Sequence, residues 1–172
     1  MEYSELIRLR ESVRNYDPSK PVPHDTLTRI LDAGRVAPSA NNLQPWRFLV
    51  ISSPVMLEKI HKCYKREWFA NAPLILVIAG EKDHAWVRRY DGYNSLETDL
   101  AIAMTHIILA ATDEGVGTCW IAAFDPKILG EVLGLDDNHI VYSITPLGFP
   151  EDGYQKPARR ERKSLDEIVE YL

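Results

Sequence analysis

Apolar positions recur along this chain with two periods, and the switches between them mark out its elements. Leu6 and Leu9 share one side of a helix over residues 3–10, with Ser4 as its N-cap. Asp17 to Pro23 holds three prolines and cannot be helical. Leu27, Ile30, Leu31 and Gly34 form the face of a second helix, which starts near Asp25, is capped by His24 or Asp25, and ends at Ala37-Pro38. Trp46 to Ser52 has the aromatic and branched make-up of a strand. Val55 to Tyr64 returns to helical spacing, and Asn71-Ala72-Pro73 stops the chain. Leu74 to Ala79 is an unbroken apolar run, as in a strand covered on both faces. Residues 81–94 show no period and suit either an active-site wall or lid, or a surface connection with aromatic anchors.

The longest predicted helix runs from Ser95 to Glu114 and is apolar nearly all round, which implies burial in a core or against a partner chain. Gly115-Val116-Gly117 ends it. A short strand is expected over Thr118 to Ala122, a helix over Lys127 to Leu133 stopped by Gly134, a strand over Ile140 to Leu147, and a final Ser164-capped helix over Leu165 to Leu172. The first two helices have no strand between them. About four strands then follow, separated by helices, so the expected class is α+β with a central sheet flanked by helices. The 172 residues fit one domain spanning 1–172.

Composition narrows the function. At 45% hydrophobic and 26% charged, the chain can bury a core. A net charge of −5 argues against nucleic acid and anionic membrane as partners, so any anion must be held by a local cation cluster. The N-terminus lacks a secretory h-region and no apolar run approaches about 18 residues. Two cysteines outside any CxxC pair suit a reducing, cytoplasmic setting. The five histidines show no metal-ligand spacing, and neither a GxGxxG fingerprint nor a P-loop is present.

Three stretches carry candidate chemistry. Arg8, Arg10 and Arg14, with Ser12 between the last two, offer three guanidiniums and a hydroxyl within seven residues, which suits a phosphate, and Arg10, Ser12 and Arg14 are the candidate residues; a solvated basic helix end reads the same way. Pro38-Ser39-Ala40-Asn41-Asn42-Leu43-Gln44-Pro45-Trp46 is a stiff loop of amides and hydroxyls. It suits a flat polar ring with donors and acceptors on its edge, or else a turn that caps its own backbone. Arg160 and Arg162 form a second cationic cluster. A phosphate attached to a planar heterocycle would use all three.

These motifs, with NAP at Asn71 to Pro73, G-x-G-T-x-W at Gly115 to Trp120 and PxGxP at Pro146 to Pro150, resemble the FMN-dependent nitroreductase family over nearly the whole chain. The resemblance implies a mixed central sheet wrapped by helices and a homodimer with FMN at the interface. NADH or NADPH would reduce FMN by hydride transfer, and a small electron-poor molecule such as a nitroaromatic or quinone would then take the electrons. It implies that Arg10, Ser12 and Arg14 hold the phosphate or ring edge, completed by Arg160 and Arg162. Pro38, Ser39, Asn42 and Gln44 would reach the partner's flavin. Trp120, Ile121 and Ala122 would lie against the ring, with a backbone N–H near Ala122 facing N5. No side-chain catalytic residue is implied. The family also holds dehalogenating and flavin-modifying enzymes, and a non-catalytic flavin-binding dimer is a further alternative. Glu11 stands where many members carry a second arginine, and Ala122-Ala123 where larger members carry Glu-Gly.

Overall fold

The computed structural model describes residues 1–155 and 161–172. Four strands form one sheet in the order β1-β2-β4-β3: β1 (Trp46–Ile51), β2 (Leu74–Glu81), β3 (Gly117–Thr118) and β4 (His139–Gly148). The helices are α1 (Tyr3–Leu9), α2 (His24–Arg35), α3 (Pro54–Ile60), α4 (Glu67–Ala70), α5 (Leu96–Asp113) and α6 (Pro126–Leu133). The α+β class stands. Strand direction narrows the expectation of a mixed sheet, because every pairing among the described residues is antiparallel.

β2 is central, and its residues Leu74 to Gly80 are all buried, as the unbroken apolar run implied. α5 covers one face with Leu96, Leu100, Ala103, Met104 and Ile107 and packs most heavily on α2. Gly34 of α2 permits that approach, since a Cβ there would lie 2.6 Å from Ile107. The other face carries Ile75, Val77 and Ile144 against Phe69, Ile60 and Leu129. α6 is bounded as its sequence dictates: Asp125 accepts from the Lys127 and Ile128 N–H groups, and Gly134 ends it at φ +65°.

Other boundaries moved. α1 is preceded by Glu2 at the N-cap, so Ser4 lies inside the helix, and α2 begins at His24 behind Pro23 and ends at Arg35. The expected Thr118–Ala122 strand is broken into Gly117–Thr118 and an isolated bridge at Ile121. The cause lies in β4. Ile144 exchanges both backbone bonds with Ile121, and two residues on, Pro146 faces the same way with no N–H to give. The Cys119 N–H turns instead to the Thr145 hydroxyl at 3.1 Å. A bulge between Ile78 and Ala79 leaves Tyr142 as the extra residue of β4, and its ring meets Trp120 edge-on at 5.8 Å.

The expected terminal helix is a single 3-10 turn, Leu165–Glu167, held by a Ser164–Glu167 capping box. Residues 161–172 are all exposed. An isolated helix this short is marginal without a surface to pack on.

Candidate functional site

The Arg10 segment crosses one end of the sheet. The Val13 N–H donates to the Thr118 carbonyl at 2.8 Å, and the Asp17 N–H to the Phe149 carbonyl at 2.9 Å. Tyr16 is fully buried, and its hydroxyl donates to the Val13 carbonyl at 2.7 Å. Burial pushes that phenol well above its ordinary range, so it stays protonated. Val13 is buried, and with Glu11 it lines a groove of about 170 Å³ beside Leu9 and Val116. Arg10, Ser12 and Arg14 occupy the alternate positions and line none of that groove. The Arg10 guanidinium and the Ser12 hydroxyl have no hydrogen bond or ion pair within the described chain. The Arg14 guanidinium lies over the Trp68 ring at 6.0 Å. The segment thus presents two cations without counter-ions among the described residues, in a net acidic chain.

The Ser39–Gln44 loop sits at the opposite end. It holds three non-glycine residues at positive φ: Asn41 at 54°, Asn42 at 55° and Gln44 at 51°. Such backbone is uncommon and clusters where function requires it. Ser39 and Gln44 serve the loop itself. The Ser39 hydroxyl accepts from the Gln44 N–H at 2.9 Å, and the Gln44 carboxamide donates to the Asn42 carbonyl at 3.2 Å. The Asn41 and Asn42 carboxamides are exposed and make no bond within the described chain. The Ala40 N–H donates to Asp99 at 2.9 Å. The stretch therefore caps its own backbone through Ser39 and Gln44, while the Asn41 and Asn42 amides face outward.

The two clusters do not meet in one chain. Val13 pairs beside β3 at the Gly148 end, whereas Pro45 packs on Gly80 beside β1, where a Cβ would come 2.5 Å from the Pro45 carbonyl. The length of β2 and three strand spacings separate these corners by roughly 25 Å. Trp120 is half-buried, and the Ile121 side chain is buried in the core with its backbone bonds spent on Ile144, so Ile121 offers a ligand no side-chain contact. Ala122 is exposed, and its N–H meets no acceptor in the described chain. Pro38 is exposed. Arg160 lies outside the described residues. Arg162 is exposed and donates to the adjacent Glu161 carbonyl at 3.0 Å, with no hydrogen bond or ion pair to the Arg10 segment among the described residues. Glu151 accepts from the Asn15 carboxamide at 2.7 Å, so the chain leaving β4 does start out beside that segment.

Comparison with known proteins supplies the lineage. Residues 7–63 and 54–149 match the sequence profile of the Nitroreductase family. The chain is 31% identical over 156 residues to an Archaeoglobus fulgidus protein named "Putative NADH dehydrogenase/NAD(P)H nitroreductase", covering 88% of this chain and 87% of that one. The crystal structure of a nitroreductase family protein from Clostridium difficile 630 superposes with a TM-score of 0.89 at 34% identity, over 99% of this chain and 98% of that one. Iodotyrosine deiodinase 1 of Rattus norvegicus is 23% identical over 98% of this chain and 68% of its own length. This chain belongs to the nitroreductase family.

Within that nitroreductase fold, several groups fall outside the candidate site. Cys63 is buried in the core, and burial pushes its thiol up to about 11, so it is inert at neutral pH. His139 is held by Asp136 at 2.6 Å, with Arg47 at 3.1 Å and Glu81 at 3.5 Å. Among the described residues no group of three His, Cys, Asp or Glu side chains is arranged to hold a metal ion. No helix among them is long and apolar enough to cross a membrane. Residues 87–94 form a stapled turn: Val87 bridges Asn94, Arg88 grips Asp91 at 2.6 and 2.8 Å, and its guanidinium covers the Tyr93 ring at 4.8 Å. Sequence reasoning singled out Asn41 only as part of its loop, and neither Asp99 nor Trp68. A lone acid on the buried face of an apolar helix is the available signal for Asp99; nothing local marks Trp68.

Proposed function

We propose that this chain is an FMN-dependent oxidoreductase. It takes electrons from NADH or NADPH and passes them, in alternating half-reactions, to small electron-poor acceptors such as nitroaromatics or quinones. The observation that carries the reading is the pair of corners: uncompensated guanidiniums at one, a strained loop presenting free amides at the other. The name of the A. fulgidus relative points the same way. FMN, when bound, supplies the redox chemistry. The residues of this chain supply binding, orientation and electrostatics. Arg10 and Arg14 suit a phosphate and the electron-rich edge of a reduced ring, and the family resemblance adds Arg160 and Arg162 to that role. The unspent Ala122 N–H suits a ring nitrogen, and Asn42 the polar edge of the heterocycle.

A separation of roughly 25 Å between the corners argues that each site is composite. In a homodimer, the Ser39–Gln44 loop of one copy faces the Arg10 segment of the other. α5 offers a surface for that pairing: Ile102, His106 and Leu109 form an i, i+4, i+7 stripe left half-buried by the single chain. The two cysteines, in no disulfide, suit a reducing, cytoplasmic compartment.

Purified protein should carry or take up FMN and show a blue absorbance band. Anaerobic NADH or NADPH should bleach that band, and a nitroaromatic, a quinone or a halogenated phenol should restore it. A protein that takes up no FMN overturns the reading. One that neither nicotinamide bleaches is a flavin binder without this activity. The deiodinase relative is the reason for the halogenated-phenol arm.

A further inference from the structure

We infer that Asp99 is the positioning residue that holds the Ser39–Gln44 loop in its ligand-presenting shape, a role that rests on the flavin reading only for the identity of the ligand. Asp99 is 2% exposed, on a face of α5 otherwise built from Leu96, Leu100, Ala103 and Met104. An acid in such a place is costly unless its oxygens are satisfied. One oxygen accepts from the Ala40 N–H at 2.9 Å and the other from the Ser95 hydroxyl at 2.8 Å. No cation pairs with it among the described residues. Its remaining support is the positive end of α5, an 18-residue helix in whose first turn it lies.

The bond to Ala40 has a special place. The other hydrogen bonds of the loop are internal: Asn42 N–H to Ser39 carbonyl, Leu43 N–H to Ala40 carbonyl, Gln44 N–H to Ser39 hydroxyl, and the Gln44 carboxamide to the Asn42 carbonyl. Among the described residues, Asp99 is the hydrogen-bond partner that ties residues 38–44 to the scaffold. Ala40 directly precedes Asn41 and Asn42, which stand at positive φ with their side chains exposed. A loop with that much backbone strain needs an external fixed point, and Asp99 is buried where it cannot touch the ligand itself. Ser95 extends the link, since its N–H donates to the Trp86 carbonyl at 2.9 Å. One carboxylate thus registers the loop against both α5 and the 86–95 segment.

The test compares the full-length wild type with Asp99→Ala, Asp99→Asn and Asp99→Glu. FMN affinity is read by flavin fluorescence and loop fixation by amide exchange at Ala40, with Leu76 to Ala79 of β2 as the core reference. Asp99→Ala should weaken FMN about tenfold or more and speed exchange at Ala40 while the β2 amides stay protected. Asp99→Asn should stay within about threefold of wild type, because its carboxamide oxygen still accepts from Ala40 and the Ser95 hydroxyl can turn to accept. Should Asp99→Ala fail to accumulate folded, Asp99→Glu is decisive: it keeps the charge, displaces the acceptor by a methylene, and should weaken FMN. The inference is overturned if Asp99→Ala or Asp99→Glu binds FMN as wild type does with Ala40 still protected. It is equally overturned if β2 exchange rises in step with Ala40, or if Asn is as damaging as Ala. A wild type that binds no FMN overturns the flavin reading, and Ala40 exchange in Asp99→Ala still decides the role of Asp99.

Discussion

At the Gly148 corner the candidate ligand groups are long, charged and unpaired, carried on a segment that runs past β3. At the Gly80 corner they are short amides on a loop bonded to itself, anchored on Asp99 and bent through three positive-φ residues. Each corner depends on a glycine for close approach. A Cβ on Gly148 would lie 2.7 Å from Pro73 and 3.1 Å from Tyr16, and one on Gly80 would lie 2.5 Å from the Pro45 carbonyl. The difference is in when conformational entropy is lost. Arg10 and Arg14 lose rotamer freedom when a ligand arrives, whereas the loop has already lost it on folding. Changes at the first corner should therefore act on binding alone, and changes at the second on folding and binding together.

The largest effect should come from Arg10→Ala. It removes a charge-assisted contact worth about 1.5–3 kcal/mol. FMN affinity measured by fluorescence titration should fall accordingly, with the thermal midpoint of the flavin-free protein unchanged, since the Arg10 guanidinium makes no hydrogen bond or ion pair among the described residues. An unaltered affinity would sink the anion site.

Gly80→Ala should cost about 1–3 kcal/mol of stability, because its methyl must displace the Pro45 carbonyl or Leu96. Urea denaturation measures it, and weakened FMN binding should accompany the loss. A stability loss with normal FMN affinity would uncouple the loop from the site.

Asn42→Ala should be milder, about 0.5–1.5 kcal/mol in FMN affinity. Its value lies in mixing. A heterodimer of Arg10→Ala and Asn42→Ala subunits has one site intact at both corners if sites are shared between chains, and two damaged sites if each lies within one chain. Recovery of tight binding at half the sites is the expected result.

The smallest effect tests a group outside both corners. Burial holds the His61 imidazole below its ordinary 6.5, and its Nε2 is buried without a partner. The folded state thus favours the neutral ring. Stability should be full above pH 6.5 and decline as pH falls towards the depressed folded value. His61→Gln should flatten that decline in thermal melts between pH 7 and 5, and leave FMN binding at pH 7 unchanged.

Much of the fold was legible because its signals are local. Leu74 to Ala79 announced a central strand by composition, Asp125-Pro126 and Gly134 bracketed α6, and Gly34 fell on the buried face of α2. The misplaced elements depended on distant partners. Residues 118–122 have strand composition, yet Pro146, some 25 residues later, withholds the N–H that would continue the ladder. Leu165 to Leu172 has a cap and apolar residues, but among the described residues nothing covers them, and all of 161–172 is exposed. At the candidate site the residue types were legible and their division of labour was not. Ser39 and Gln44 look like ligand groups in sequence, and they spend bonds on their own loop.

By itself the sequence determined most of the helices, strands and turns, that a cation segment and an amide loop exist, and which family they resemble. Each of these is set by residues within a turn or two of one another. Only the tertiary structure decided that the two motifs lie at opposite corners, that Ile121 turns inward, and that an acid 59 residues away fixes the loop at Ala40. Those outcomes follow from strand register and helix packing, which bring together residues with no local preference for one another.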